Sequence, residues 1–198
     1  MTPSLDPWIQ ELQPHLHLND KRLDRRFLLM LQRASDNPTA STYAAAEGSA
    51  EAKAAYRFLA NPDVTPEALY EAIRQLCIDH ITDQSMVLAI QDTSSLDYAR
   101  HPATTGLGPI GGGDGTLGRG LLVHTGLAVS SDGVPLGILH QKTWARDDQA
   151  PGTREQRRQR PIEDKESFRW IEALRTAEVA VPAHVGLLHV ADREADIF

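Results

Sequence analysis

The chain has 198 residues, of which 41% are hydrophobic and 24% are charged, and its formal net charge is −7. These values lie near the average of globular proteins and exclude a wholly disordered chain. No apolar run is long enough to span a membrane, and the N-terminus lacks the features of a secretory signal, so we expect a cytoplasmic protein. The single Cys77 excludes an internal disulfide and a cysteine-based zinc site.

Helical patterns dominate the first part of the chain, and we predict a helical domain over residues 1–80. A first helix over 20–35 has Asn19 as its expected N-cap. Its apolar residues recur at helical spacing and predict a buried stripe of Leu23, Phe27, Met30, Leu31 and Ala34. A second helix fits 49–59. A third begins with Thr65 as cap and Pro66 in first position, with Cys77 on its core face.

The pattern changes after residue 85, and an α/β domain is predicted over 81–198. Apolar runs at 86–90 and 185–190 predict buried strands, and two runs at 121–130 and 134–144 predict a hairpin around Ser131-Asp132-Gly133. We expect a loop over 101–119 and a solvated segment over 145–163. An amphipathic helix over 165–179 is predicted to turn inward Phe168, Ile171, Ala173 and Leu174.

Two carboxylates follow the first and the last predicted strands of this domain, Asp92 after the first and Asp192 after the last. Open α/β sheets bind ligands outside the carboxyl ends of their strands. If the two strands are adjacent and parallel, the carboxylates converge, and their repulsion calls for a cation. Oxygen ligands favour Mg²⁺ or Mn²⁺. The alternative is that each Asp begins a turn or caps a helix.

Basic side chains cluster at two places in the helical domain. The first helix carries Lys21, Arg22, Arg25, Arg26 and Arg33, interrupted by Asp20 and Asp24. Lys53 and Arg57 lie four residues apart and therefore share a face of the second helix. Such clusters are either solvated surface or contacts to DNA phosphates and base edges.

Other motifs indicate no further chemistry. The glycine patterns Gly106-x-Gly108-x-x-Gly111 and Gly113-x-Gly115-x-x-Gly118 do not connect a strand to a helix, so a flexible loop is favoured over nucleotide binding. His15 and His17 are expected at the surface. His124, His140 and His189 fall in strand-like runs and are expected in the core or sheet, and Trp144 is expected to pack at a strand end.

Several sequence segments resemble one family in order and spacing, from about residue 18 to residue 198. They are LNDKRLDRRF, EGSAEAKAAYRFLANPDV, QDTSSLDY, VPLGILHQKTW, KESFRW and VADREADIF. The family is that of the bacterial insertion-sequence DDE transposases of the cut-and-paste, hairpin-forming type, the transposon-five branch. The most specific segments are AYRFLANP, QDTSSL and DREADI.

The resemblance implies a mixed α+β or α/β architecture. A helical N-terminal DNA-binding domain is followed by an incomplete RNase H-like catalytic core. The first two catalytic acids and metal ligands would be Asp92 and Asp192, with Mg²⁺ as cofactor and Mn²⁺ as a possible substitute. By the same resemblance, Arg22, Arg26 and Arg57 would contact the transposon ends, and Lys53 is a weaker candidate for such a contact.

The family's third acid is a Glu in a later Tyr-Arg-x-x-Glu motif, which these 198 residues do not contain. Glu194 and Asp196 belong to the second motif and do not replace it. We therefore expect a truncated transposase that lacks cleavage activity by itself, leaves an unpaired sheet edge and folds poorly.

The resemblance also implies how the intact parent would act. It would be a homodimer that binds terminal inverted repeats and target DNA, and as a bacterial protein it would associate with the nucleoid. The first alternative is a non-catalytic protein that only binds transposon ends. The second is a magnesium-dependent nuclease unrelated to transposition, which leaves the upstream DNA-binding segments unexplained.

Overall fold

The computed structural model describes residues 4–111, 118–148 and 154–195. The glycines at 113 and 115 and the acid at 196 lie outside the described residues. The chain forms two compact units, Met1–Leu76 and Cys77–Phe198, whose boundary falls within a helix. The domain boundary predicted from the sequence lies four residues later, between residues 80 and 81.

The first unit is helical. Its helices are α1 Pro7–Leu12, α2 Lys21–Asp36, α3 Thr42–Ala45, α4 Ser49–Leu59 and α5 Pro66–Thr82, the last of which continues into the second unit. Thr65 caps α5 as predicted, because its hydroxyl accepts from the Ala68 amide at 3.2 Å. The predicted cap of α2 is wrong: the Asp20 carboxylate, not Asn19, accepts from the Arg22 amide at 2.8 Å.

The core of the first unit gathers apolar side chains from α1, α2, α4 and α5. Ile9 and Leu12 are fully buried, and the rings of Phe27 and Phe58 stack with centroids 6.0 Å apart. The predicted stripe of α2 is partly wrong, because Ala34 is exposed while Leu28 is buried. Burial of such side chains removes apolar area from water and is the main stabilising contribution.

The second unit follows the predicted order of strand, hairpin, helix and strand. Its elements are β1 Met86–Asp97, β2 Gly108–Pro109, β3 Arg119–Ser130, β4 Pro135–Trp144, α6 Arg154–Gln159, α7 Phe168–Ala180 and β5 Gly186–Val190. One prediction needs correction, because β2 lies in the expected loop. The helix α6 lies in the segment expected to be solvated, and its described side chains Glu155, Arg158 and Gln159 are exposed. The hairpin turn is as predicted, and Gly133 has the positive φ of 84° that such turns favour.

The sheet is mixed. β3 pairs antiparallel with β1, β2 and β4, whereas β5 pairs parallel with β1. A parallel neighbour requires a crossover connection, and α7 supplies it between β4 and β5. Among the described residues, β5 lies at the edge of the sheet with β1 as its strand partner.

The core of the second unit lies on one face of this sheet. Val87 and Ala89 of β1 pack with Cys77 and Ile81 of α5. Other members of this core are Ala128, Leu139, Ala177, Val181 and Val185. Cys77 is 1% exposed, which confirms its predicted place in the core.

The predicted inward face of α7 is partly wrong. Arg169, Trp170, Ala173 and Ala177 are buried, whereas Phe168, Ile171 and Leu174 are only half-buried. The Trp170 ring packs edge-on against His124 of β3, with centroids 4.6 Å apart. The helix is therefore oriented by that aromatic contact, which hydropathy along α7 does not reveal. No described helix is both long and apolar enough to cross a bilayer.

Candidate functional site

The first unit exposes cations near the start of α2. Lys21, Arg22 and Arg25 are exposed, and Arg26 is half-buried. Arg33 is less available, because Glu47 and Glu51 lie 2.6 and 3.7 Å from its guanidinium. The positive surface of α2 is thus confined to its first turns.

The charge of Arg22 is partly neutralised by Asp20, the N-cap residue of α2. Its Nη2 donates to the Asp20 carboxylate at 2.7 Å and its Nε donates at 2.9 Å. The pKa of Arg22 is raised by this hydrogen bond, and the pKa of Asp20 is lowered by the same contact. Sequence spacing shows that Asp20 interrupts the cluster, but only the structure shows which cation it pairs.

A second cationic surface lies on α4. Lys53 and Arg57 are exposed and line a groove of about 400 Å³ together with Tyr43 and Tyr56. The two tyrosines are 62% and 53% exposed. Aromatic rings beside cations can stack on bases or sugars while the cations bind phosphates. These tyrosines were not among the candidate residues predicted from the sequence, because nothing in their spacing distinguishes them from core aromatics.

The first unit is therefore a small helical module with exposed cations on two of its helices. Residues 6–64 match the model of the family described as Transposase DNA-binding. The matched range contains Arg22, Arg26, Lys53 and Arg57. The match supports transposon DNA as the partner of this unit and a transposase as the class of its parent protein.

The two carboxylates of the second unit lie on adjacent parallel strands. The β1–β5 ladder ends where Ile90 is opposite Val190, and Asp92 and Asp192 each lie two residues further along. The conditional expectation of adjacent parallel strands is therefore met. The position of Asp92 differs from expectation, because β1 continues to Asp97 and Asp92 is paired with Thr125 of β3.

Both carboxylates are exposed and each accepts one local hydrogen bond. Asp92 Oδ1 accepts from the Thr93 amide at 2.7 Å, and Asp192 Oδ1 accepts from the Glu194 amide at 2.9 Å. The second contact closes a turn at Asp192, as expected under the alternative interpretation that this residue begins a turn. Mg²⁺ is commonly held by one or two carboxylates together with water and substrate phosphates, so the donor type fits this ion. The described residues contain no group of three or more His, Cys, Asp or Glu arranged to hold a metal.

Beneath Asp92, its two neighbours in β1 belong to a buried polar chain. Alternation along the strand turns Gln91 and Thr93 to the face opposite Asp92. The Thr93 hydroxyl lies 2.9 Å from His124 Nδ1, and His124 Nε2 lies 3.3 Å from the Gln91 side-chain oxygen. Arg169 Nε donates to the Thr93 hydroxyl at 2.9 Å.

His124 is fully buried within this chain. Burial lowers its pKa to about 4, and the positive charge of Arg169 and the proximity of His140 act in the same direction. His124 is thus neutral at physiological pH. Its place in the sheet was predicted, but its polar partners were not, because they come from β1 and α7.

The remaining predicted side chains lie close to their expected places. Burial lowers the pKa of His140 and of His189, both half-buried strand residues. His17 is exposed, whereas His15 is half-buried rather than at the surface. Trp144 ends β4, with its ring 6.0 Å from the Arg169 guanidinium.

The first glycine pattern does not form a phosphate loop between a strand and a helix. Gly106 and Gly111 have positive φ values of 75° and 72°, and Gly108 lies in β2 against β3. These glycines shape the backbone around a short strand, where a flexible loop was predicted.

Proposed function

We propose that the intact parent of this chain is a DDE transposase of the bacterial insertion-sequence type. The first unit would recognise the terminal inverted repeats of the element, and the second would be the beginning of an RNase H-like catalytic core. The transposase DNA-binding match over residues 6–64 carries the proposal. The order of the strands in the second unit and its parallel β1–β5 pair support the proposal of a catalytic core.

DNA binding is assigned to cations from two helices. Arg26 and Arg57 would contact phosphates or base edges of the transposon end, and Lys53 would contribute beside Arg57. Arg22 would contribute less while Asp20 neutralises it. The tyrosines of the α4 groove would pack on the same DNA.

Cleavage is assigned to the carboxylates of the second unit. Asp92 and Asp192 would hold Mg²⁺, or Mn²⁺ in its place, which when bound would activate water and stabilise the leaving oxygen of a phosphodiester. A third carboxylate, the family's Glu, would complete the site in the parent. A homodimer and hairpin formation at the ends belong to the same proposal by resemblance.

A gel-shift assay tests the DNA-binding part. The probe is a duplex carrying the inverted repeats that flank the coding sequence, and a scrambled duplex is the competitor. Arg57→Ala and Arg26→Ala should each weaken specific binding and reduce the salt dependence of log K by about 1 per lost phosphate contact. Arg74→Ala is the matched control, because Arg74 lies outside the matched range and pairs with Glu71. Equal loss in the control would contradict the assignment.

A cleavage assay on the same preparations separates the enzyme from the binding protein. An incomplete catalytic core is supported if these 198 residues bind specifically without cleaving, and if cleavage appears once the chain is extended by the segment that carries the third acid. Specific binding with no cleavage in either form favours the non-catalytic end-binding protein. Cleavage by these 198 residues that survives Asp92→Asn and Asp192→Asn would contradict the assigned metal ligands.

A further inference from the structure

We propose that Arg169 is a positioning residue that holds the turn containing Asp192 against β1 and so sets the spacing of the two carboxylates. The inference rests on the proposed function, since it concerns the same pair of acids. It adds a residue of α7 that neither touches the metal nor belongs to either acidic motif.

Arg169 connects three elements through one buried guanidinium. Its Nε donates to the Thr93 hydroxyl at 2.9 Å, and its Nη2 donates to the Glu194 carboxylate at 2.8 Å. Its Nη1 donates to the Glu166 carbonyl at 3.0 Å. Arg169 is only 9% exposed, so its bond to the half-buried Thr93 hydroxyl is sheltered from water, whereas the Glu194 carboxylate that it also binds is exposed.

The two ends of this connection are each one step from a carboxylate. Thr93 follows Asp92 directly, and its amide donates to Asp92 Oδ1. The Glu194 amide donates to Asp192 Oδ1, while the Glu194 side chain accepts from Arg169. Arg169 therefore links the backbone segments that orient both acids.

The hydrogen bonds of the β1–β5 ladder do not themselves hold Asp192 in position relative to Asp92. Its last pair is Ile90 with Val190, so Asp192 lies beyond the strand and on the way into a short 3-10 turn. A turn without ladder bonds relies on side chains to hold its position. Among the bonds of the described residues, the Arg169–Glu194 pair joins this turn to α7, and through Thr93 to β1.

The direction of the hydrogen bonds makes the connection rigid. A guanidinium can only donate, so the Thr93 hydroxyl accepts from Arg169. The Gln91 oxygen can only accept, so the neutral His124 ring donates from Nε2, and its Nδ1 accepts from the Thr93 hydroxyl. Every link from Arg169 to Gln91 has one donor and one acceptor, and the chain fastens β1 on both sides of Asp92.

The test measures Mn²⁺ affinity from the electron paramagnetic resonance signal of free Mn²⁺, and the hydrogen exchange of the Glu194 amide. Arg169→Gln and Glu194→Ala should each raise the Kd for Mn²⁺ by about tenfold, as loss of an outer-shell partner does. Both should accelerate exchange at Glu194. Arg175→Gln is the matched control, because Arg175 lies on the same helix over the Phe168 ring and should change neither value.

Two further variants separate position from charge. Glu194→Gln keeps an oxygen that accepts from Arg169 and should retain most of the affinity. If it loses as much as Glu194→Ala, the charge of Glu194 explains the effect and the proposal is overturned. The double variant Arg169→Gln/Glu194→Ala should be no weaker than the worse single variant, since both remove the same contact. Additive losses would also overturn it.

The outcomes distinguish this inference from the proposed function. If Asp92→Asn and Asp192→Asn abolish Mn²⁺ binding while Arg169→Gln and Glu194→Ala change neither measurement, only the positioning role fails. If the wild type binds no Mn²⁺ at millimolar concentration, Asp92 and Asp192 do not hold the ion by themselves, and the Glu194 exchange rates alone decide the role of Arg169. If Arg169→Gln unfolds, the two variants at the exposed Glu194, Glu194→Ala and Glu194→Gln, decide whether the positioning role holds.

Discussion

At the residue scale, His124 combines full burial with a chain of polar partners. Its neutral form satisfies both Thr93 and Gln91, whereas a protonated ring would place a second positive charge near Arg169. A buried charge without a counter-ion is costly. The ring is therefore held neutral by its surroundings, and that preference links stability to pH.

We predict that the second unit loses stability on acidification from pH 6.5 towards pH 4. The unfolded chain takes up a proton on His124 near pH 6.5, but the folded chain does so only near its pKa of about 4, so stability rises with pH across this window. The contribution at pH 5 is on the order of 2 kcal/mol. Urea unfolding at pH 7.5 and pH 5 measures it, followed through tryptophan fluorescence in a Trp8→Phe background, which leaves Trp144 and Trp170 of the second unit as reporters.

His124→Gln serves as the control for that prediction. The variant will be less stable at every pH, but its loss between pH 7.5 and pH 5 should be smaller than that of the wild type. The residual dependence would come from other groups, including His140 and His189, whose pKa values are also lowered by burial. An unchanged slope would show that His124 does not titrate as described.

At the element scale, Asp20 has two roles at the start of α2. It caps the helix through the Arg22 amide, and it pairs with the Arg22 guanidinium. Asn is as good a cap as Asp, but it carries no charge. The two roles can therefore be separated by one substitution.

We predict that Asp20→Asn tightens end-DNA binding a few-fold without lowering stability. The reason is that Arg22 loses its neutralising partner while the cap hydrogen bond remains. Asp20→Ala removes both contacts and should lower the urea midpoint of the first unit. Gel shifts and urea melts on the two variants measure this. Unchanged affinity in Asp20→Asn would place Arg22 away from the DNA.

The hairpin β3–β4 approaches α5 closely at Gly137. A Cβ added to Gly137 would lie 2.8 Å from Cys77 Cβ, and Gly137 has a φ of 145°. Gly133 also has a positive φ, but a Cβ there would meet nothing within 4 Å. We predict that Gly137→Ala costs about 2 kcal/mol more than Gly133→Ala, because it adds overpacking to backbone strain. Chemical denaturation of the two variants decides, and equal losses would contradict it.

At the scale of the whole molecule, each unit has its own apolar core. Phe58 belongs to the first core and Leu139 to the second, and they are 2% and 1% exposed. Units with separate cores can fold separately. Damage to one core should therefore not abolish the function of the other.

We predict that Leu139→Ala destabilises the second unit by about 3 kcal/mol and leaves end-DNA binding unchanged. Phe58→Ala, a comparable truncation in the first core, should abolish binding. Limited proteolysis of the variants measures which unit opens, and gel shifts measure binding. Loss of binding in Leu139→Ala would show that the first unit depends on the second for its fold.

The sequence by itself determined the helical first unit, the order of elements in the second and Asp92 and Asp192 as candidate acids. Helical spacing, Thr65 and Pro66 at the start of α5, and the turn ending in Gly133 are local signals, and local chemistry is enough to predict them. The resemblance named the DNA-binding region in advance, and the match over residues 6–64 supports it.

Only the tertiary structure decided the features that depend on distant partners. β1 extends through Asp97 because β3 supplies hydrogen bonds along its whole length. Arg169 is buried, which is unusual for a cation on an amphipathic helix, because Thr93 and Glu194, 76 and 25 residues away in the chain, accept hydrogen bonds from its guanidinium. Spacing along one helix or strand carries no record of such partners, so the surroundings of the two carboxylates became visible only in three dimensions.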